Sequence, residues 1–170
     1  MQIMCSVSIV YASRHGATRT VAQRIAVVLQ ETGETSVSIM ELGTVDQRRL
    51  EGSDTIIVGG PVYAGRIVPE IPRFCESHRQ LLLARPVGLF ITCLHEGEKA
   101  RSQLSMAYPQ WLFAHACVHA DLGGAVELGS LRIVDRFVMR RVARVRHDVD
   151  RIRMDAVRDF VSRLRACPDA

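Results

Sequence analysis

Two short runs, T-I-I-V-G at 55–59 and V-G-L-F-I-T at 87–92, place apolar residues at successive positions rather than at every second one. A strand of this kind has no wet face. It needs cover on both sides, which is the condition of a parallel sheet with helices above and below. The stretches between follow another period. Val21, Ile25, Val28 and Leu29 recur at helical spacing over 18–32, and Gly33 follows where a helix-ending glycine belongs. Further strands are predicted at 5–11, 37–42 and 118–126, the last interrupted at Gly123-Gly124. The segment 45–52 reads as a short helix or loop, and 60–65 as a loop. Helices are predicted at 68–80, with Pro69 and Pro72 tolerated in the first turn, and at 98–113, 131–146 and 151–164. The alternating order gives an α/β class with a parallel sheet.

The 170 residues suit one domain, expected to span 1–170. A hydrophobic share of 48% with 24% charged residues excludes wholesale disorder. The longest apolar stretch, 81–94, is broken by Arg85 and Pro86, so no bilayer span is expected. The chain enters its first strand with no charged leader or cleavage pattern, and a cytoplasmic protein is expected. The five cysteines, Cys5, Cys75, Cys93, Cys117 and Cys167, form no C-x-x-C pair. Zinc ribbons and dithiol redox motifs are therefore disfavoured. An odd count suits a reducing compartment, with most of the thiols read as small buried hydrophobes. His115 and His119 have i,i+4 spacing, but the stretch reads as a strand and no metal site is expected.

Net charge is +4, and Lys99 is the lone lysine. Residues 131–170 carry 11 basic against 6 acidic side chains, a net of +5, so the basicity is local. That excludes a uniform nucleic-acid-binding surface. On the predicted helix 131–146, Arg132, Arg136, Arg140 and Arg144 fall at successive i+4 positions opposite Val134, Phe137, Val138, Val142 and Val145. The face reads either as solvated arginines or as a dock for an anionic lipid surface, a porphyrin carboxylate or an acidic redox partner.

In an open α/β sheet, ligands sit outside the carboxyl ends of the strands. Three post-strand loops qualify. The first holds Ser13, Arg14, His15, Gly16, Ala17 and Thr18 before a helix; its N–H groups, dipole and hydroxyls suit an anion. Alone it also reads as a plain helix cap, and it is neither a Walker loop nor G-x-G-x-x-G. The second holds Gly60, Pro61, Val62, Tyr63, Ala64 and Gly65, glycines beside an aromatic that suit a flat ring. The third holds Thr92, Cys93, Leu94, His95 and Gly97.

With these loops the sequence resembles the flavodoxin-like family. The segment S-R-H-G-A-T at 13–18 is similar to the family's hydroxyl-rich phosphate loop. I-I-V-G-G-P-V-Y-A-G-R at 56–66 and V-G-L-F-I-T-C at 87–93 strengthen the likeness. L-G-G-A at 122–125, L-x-x-V-D-R-F-V-M at 131–139 and the segment 154–160 resemble the menaquinone-dependent protoporphyrinogen dehydrogenase branch. The resemblance implies a flavodoxin-like three-layer α/β/α sandwich with a five-stranded parallel sheet of order 2-1-3-4-5, and one FMN. The first loop would hold the phosphate, the second would line the isoalloxazine ring, and the third would close its other side. Arg14 and His15 depart from the family's neutral loop, the third loop lacks a stacking aromatic, and the pI near 9.0 departs from acidic carriers.

The function expected is an FMN oxidoreductase similar to protoporphyrinogen dehydrogenase, passing electrons from a reduced substrate to a quinone or another acceptor; the alternatives are a non-enzymatic electron carrier between protein partners and a flavin-binding module without turnover. Oligomer formation stays open. No residue stands out as a proton donor, and His95 is a candidate by loop position alone.

Overall fold

The computed structural model describes residues 5–93, 95–126, 149–150 and 152–167. Its main sheet is parallel. Strand β1 (Cys5–Tyr11) lies between β2 (Thr35–Glu41) and β3 (Thr55–Tyr63); β5 (Val87–Thr92) and β6 (Val118–Asp121) continue the row. The order β2-β1-β3-β5-β6 is the flavodoxin-like order 2-1-3-4-5 of the main strands, with β4 (Arg66–Ile67) pairing antiparallel to the end of β3. A separate ribbon joins β7 (Ala125–Val126) to β8 (Val149–Asp150).

The near-continuous apolar runs feed two cores. On one face, Val10, Ile56, Val58, Leu89 and Ile91 pack with α3 (Glu70–Ser77), α4 (Arg79–Leu83), α5 (Glu98–Ala107) and α6 (Gln110–His115). On the other, Val7, Ile9, Tyr11, Ile57 and Phe90 pack with α1 (Ala17–Gln30) and α7 (Met154–Arg165). Successive strand residues thus serve opposite layers, as the pleat requires. A short helix, α2 (Gln47–Glu51), follows β2; its N-cap Asp46 accepts from the N–H groups of Arg48 and Arg49.

Several boundaries differ from the sequence expectation. Residues 60–63 are strand, not loop: β3 runs on to Tyr63 and turns back at Ala64 (φ 47°) and Gly65 (φ 80°) into β4. The pair Gly59-Gly60 is there for packing. A Cβ on Gly59 would lie 2.0 Å from the Phe90 ring, and one on Gly60 would lie 2.8 Å from Ile71. The expected helix 98–113 breaks before Pro109, which lacks the N–H to continue it. The helix at 68–80 divides at His78. His115 ends α6 rather than lying in a strand, and the expected strand 118–126 is interrupted as read: β6 ends at Asp121 and β7 resumes at Ala125, pairing with β8 rather than with the main sheet. The predicted helix 131–146, with its arginine face, lies outside the described residues.

The last helix is bound to the first. Arg158 makes a two-pronged ion pair with Glu31, at 2.9 and 3.0 Å, and Arg165 donates to the Leu29 carbonyl at 2.8 Å. Cys117 and Cys167 are joined by a disulfide, with Cα atoms 5.9 Å apart, so not all five cysteines are free thiols. The spacing could not reveal this pair because the partners are 50 residues apart and meet only when α7 returns to the sheet edge.

Candidate functional site

The three loops singled out in the sequence leave β1, β3 and β5 at the same carboxyl edge of the sheet. In the first, Ser13 Oγ accepts from the Gly16 N–H at 3.1 Å and closes a tight turn. Gly16 then takes a left-handed φ of 85° as the N-cap of α1. That conformation costs glycine little and other residues more. No acidic side chain stands in the first turn of α1, so its unpaired N–H groups and dipole face outward uncompensated. Ala17 and Thr18 open the helix.

Thr18 is buried, and its hydroxyl lies 2.9 Å from that of Thr92, also buried, at the end of β5. The bond ties the first loop to the third. A hydroxyl has one proton and two lone pairs, so Thr18 can accept from Thr92 and still donate elsewhere. The Ala12 N–H donates to the Gly59 carbonyl at 3.1 Å and fixes the first loop against β3.

The second loop is stiffer than the sequence suggested. Gly60 and Pro61 are buried inside β3, while Val62 and Tyr63 pair with Ile67 and Arg66. Only Ala64 and Gly65 form a turn. Tyr63 is half-buried and touches the first loop: the Arg14 guanidinium sits 5.5 Å from its ring centroid, and His15 meets it edge-on at 5.8 Å. A cavity of about 150 Å³ beside these groups is lined by Ser13, Arg14, Glu41, Leu42, Val68 and Glu70. Arg19 pairs with Glu41 of that lining at 2.8 Å and donates to the Tyr11 hydroxyl at 3.1 Å.

In the third loop, His95 and Gly97 are exposed, and Leu94 lies outside the described residues. Gly16, Gly65 and Gly97 all have positive φ, and a Cβ on any of them would meet nothing within 4 Å. Each loop therefore presents one bare stretch of backbone to open space. Among the described residues, no group of His, Cys, Asp and Glu is arranged to hold a metal. The Nε2–H of His115 donates to the Arg85 carbonyl, and that of His119 donates to the Phe113 carbonyl.

Two side chains that the sequence reading passed over support the third loop. Asp121, at the end of β6, pairs with Arg153 at 2.7 Å and accepts from the Gly123 N–H at 3.0 Å; Arg153 also donates to the Asp121 carbonyl. The Cys93 thiol lies 3.3 Å from both the same carboxylate and the His95 carbonyl, its one S–H proton shared between the two acceptors. The available signal was an acid at a strand's carboxyl end directly before Leu-Gly-Gly. Its partner, 32 residues away, left none.

Burial, with the Asp121 charge second, pushes the Cys93 thiol up to about 12. Burial likewise pushes Cys75 up to about 12, and Tyr108 well above its ordinary value. In the unfolded chain the thiols ionise near 9.0. The folded state therefore holds protons that the unfolded state has already lost. The contribution of the neutral thiols is full below pH 9 and is lost as pH rises toward 12. Denaturant melts across that range will show the decline, and a Cys75→Ala/Cys93→Ala variant will show a shallower one.

A family model described as the flavodoxin domain matches residues 8–151. A flavodoxin of Clostridium saccharobutylicum is 32% identical over 82 residues, which is 48% of this chain and 51% of that protein. The match thus spans about half the length of that curated relative. Flavodoxin 1 of Bacillus cereus superposes with a TM-score of 0.57 at 14% identity, covering 95% of this chain and 97% of that one. Rubredoxin:oxygen oxidoreductase of Desulfovibrio gigas superposes with a TM-score of 0.53 at 18% identity, with 94% of this chain and 37% of that one covered. At these identities the two structures bear on the fold alone.

Proposed function

Because this chain belongs to the flavodoxin domain family, we propose that it moves electrons through one FMN held by the three loops at the carboxyl edge of its sheet. FMN is the cofactor this family implies, and the residues present fit it. The observation that carries this reading is the set of three positive-φ glycines facing open space, one on each loop, beside a helix start without an acid. Bare backbone N–H groups and an unopposed dipole suit a phosphate.

Ser13, Arg14, His15, Gly16, Ala17 and Thr18 would hold that phosphate. Val62, Tyr63, Ala64 and Gly65 would flank the ring on one side, with Gly60 and Pro61 setting the strand beneath them. Thr92, Cys93, Leu94, His95 and Gly97 would close the other side. When bound, the cofactor supplies reversible one- and two-electron chemistry; the protein's share is binding, orientation and electrostatics. Thr92 holds the Thr18 hydroxyl in place. Asp121 and Arg153 fix the loop that carries His95.

Electron transfer between protein partners is the primary reading. A specific observation favours a second, a protoporphyrinogen dehydrogenase-like oxidoreductase delivering electrons to a quinone. The described part of the third loop has no Phe, Tyr or Trp, and residues 95–97 are exposed. One face of the ring would then be open to a flat second substrate. Peripheral membrane contact through Arg132, Arg136, Arg140 and Arg144 belongs with this proposal. Among the described residues, no helix is long and apolar enough to cross a membrane.

Added FMN will lose its fluorescence on mixing with the purified protein, and a colourless protein that leaves it unquenched ends the flavin reading. Under anaerobic conditions, mixing the loaded protein with protoporphyrinogen separates the two functions. Bleaching of the flavin band, reversed by a quinone, supports the oxidoreductase. No bleaching, in a protein that still exchanges electrons with a flavodoxin reductase, leaves the carrier.

A further inference from the structure

We propose that Arg14 makes the phosphate end of this site cationic, and that it sets the chain's preference for a flavin bearing a 5′-phosphate over the same ring without one. The proposal rests on the flavin reading above and concerns one side chain within it.

The neutral donors of the first loop are partly engaged. Ser13 Oγ accepts from Gly16, and Thr18 Oγ1 is bonded to Thr92. The Ser13 and Thr18 hydroxyls each keep a proton to donate, as do the first-turn N–H groups, and the exposed Arg14 guanidinium adds the charge that these neutral donors lack. Among the described residues no carboxylate pairs with Arg14, whereas Arg19 in the same region is neutralised by Glu41. Glu41 and Glu70 do line the cavity that Arg14 borders. Glu41 is occupied by Arg19. No ion pair among the described residues neutralises the Arg14 charge, and a phosphate dianion complements it.

Tyr63 supplies the second half of the argument. The Arg14 guanidinium rests 5.5 Å from the Tyr63 ring centroid, and His15 abuts the ring edge. A guanidinium seated on an aromatic face has lost much of its freedom before any ligand arrives, so less entropy is lost when it binds. Its planar fork can also address two phosphate oxygens at once. The aromatic of the second loop thus carries the cation of the first, and the two ends of the ligand are read by one connected pair of side chains.

Dissociation constants for FMN and riboflavin, measured by flavin fluorescence at about 20 mM and about 300 mM salt, test the assignment. Arg14→Gln is expected to lower the FMN-to-riboflavin affinity ratio roughly tenfold at low salt and to remove most of the ratio's salt dependence. Arg14→Lys, which keeps the charge, is expected to retain most of both. An unchanged ratio in Arg14→Gln, with FMN still bound by the native chain, overturns the role of Arg14 alone. A native chain that binds neither flavin overturns this proposal together with the flavin reading beneath it.

Discussion

Replacing Gly59 by alanine will lower the unfolding free energy by about 3 kcal/mol, at the upper end of what overpacking a core usually costs. The added methyl would lie 2.0–2.5 Å from three atoms of the Phe90 ring, which is fully buried and cannot swing aside into solvent. Phe90 meets Phe160 edge-on at 6.5 Å, so displacing it also presses on α7. The first loop will feel the change, because the Gly59 carbonyl accepts from Ala12 N–H. Flavin affinity should therefore fall along with stability. Combining Gly59→Ala with Phe90→Leu removes the ring that collides. The double variant will be more stable than the two single costs added together predict, which is the signature of direct contact. Urea melts of the four proteins measure this. Additive losses would show that the glycine is there for another reason.

Breaking the Cys117–Cys167 disulfide will cost about 4 kcal/mol. It closes a loop of 50 residues, and the chain-entropy account of cross-links gives a value of that size for such a loop. The bond also holds the end of α7 against the edge of the sheet, so its loss frees the helix that covers Phe90. The melt with reductant and that of Cys117→Ser/Cys167→Ser will agree with each other and fall below that of the oxidised chain. Thiol titration of the denatured, unreduced protein will find three groups, Cys5, Cys75 and Cys93. Five titratable thiols, or a melt indifferent to reductant, would remove the cross-link from the account of stability.

The architecture was legible because it rests on local patterns. Thr55–Tyr63 and Val87–Thr92 carry apolar residues for two layers at once, and few folds besides a covered parallel sheet can use them. The carboxyl-edge loops followed from that, since strand order and the handedness of crossovers leave one edge for the turns before the helices. The extension of β3 through residues 60–63 was not legible. G-G-P-V-Y has the composition of a turn, and only the facing side chains Phe90, Ile71 and Ile67 explain why two glycines are needed within a strand.

The same division runs through the site. The sequence by itself determined the layer plan, the three loops and the presence of a cation in the first of them, because each depends on residues close together in the chain. The tertiary structure decided what those groups touch: Thr18 on Thr92, Arg14 on Tyr63, Asp121 on Arg153, and Cys117 on Cys167. These partners lie 32 to 74 residues apart along the chain. Hydrogen bonds, ring contacts and disulfides need separations of a few ångströms, and across such lengths of chain only the packed sheet and its helices bring the partners that close.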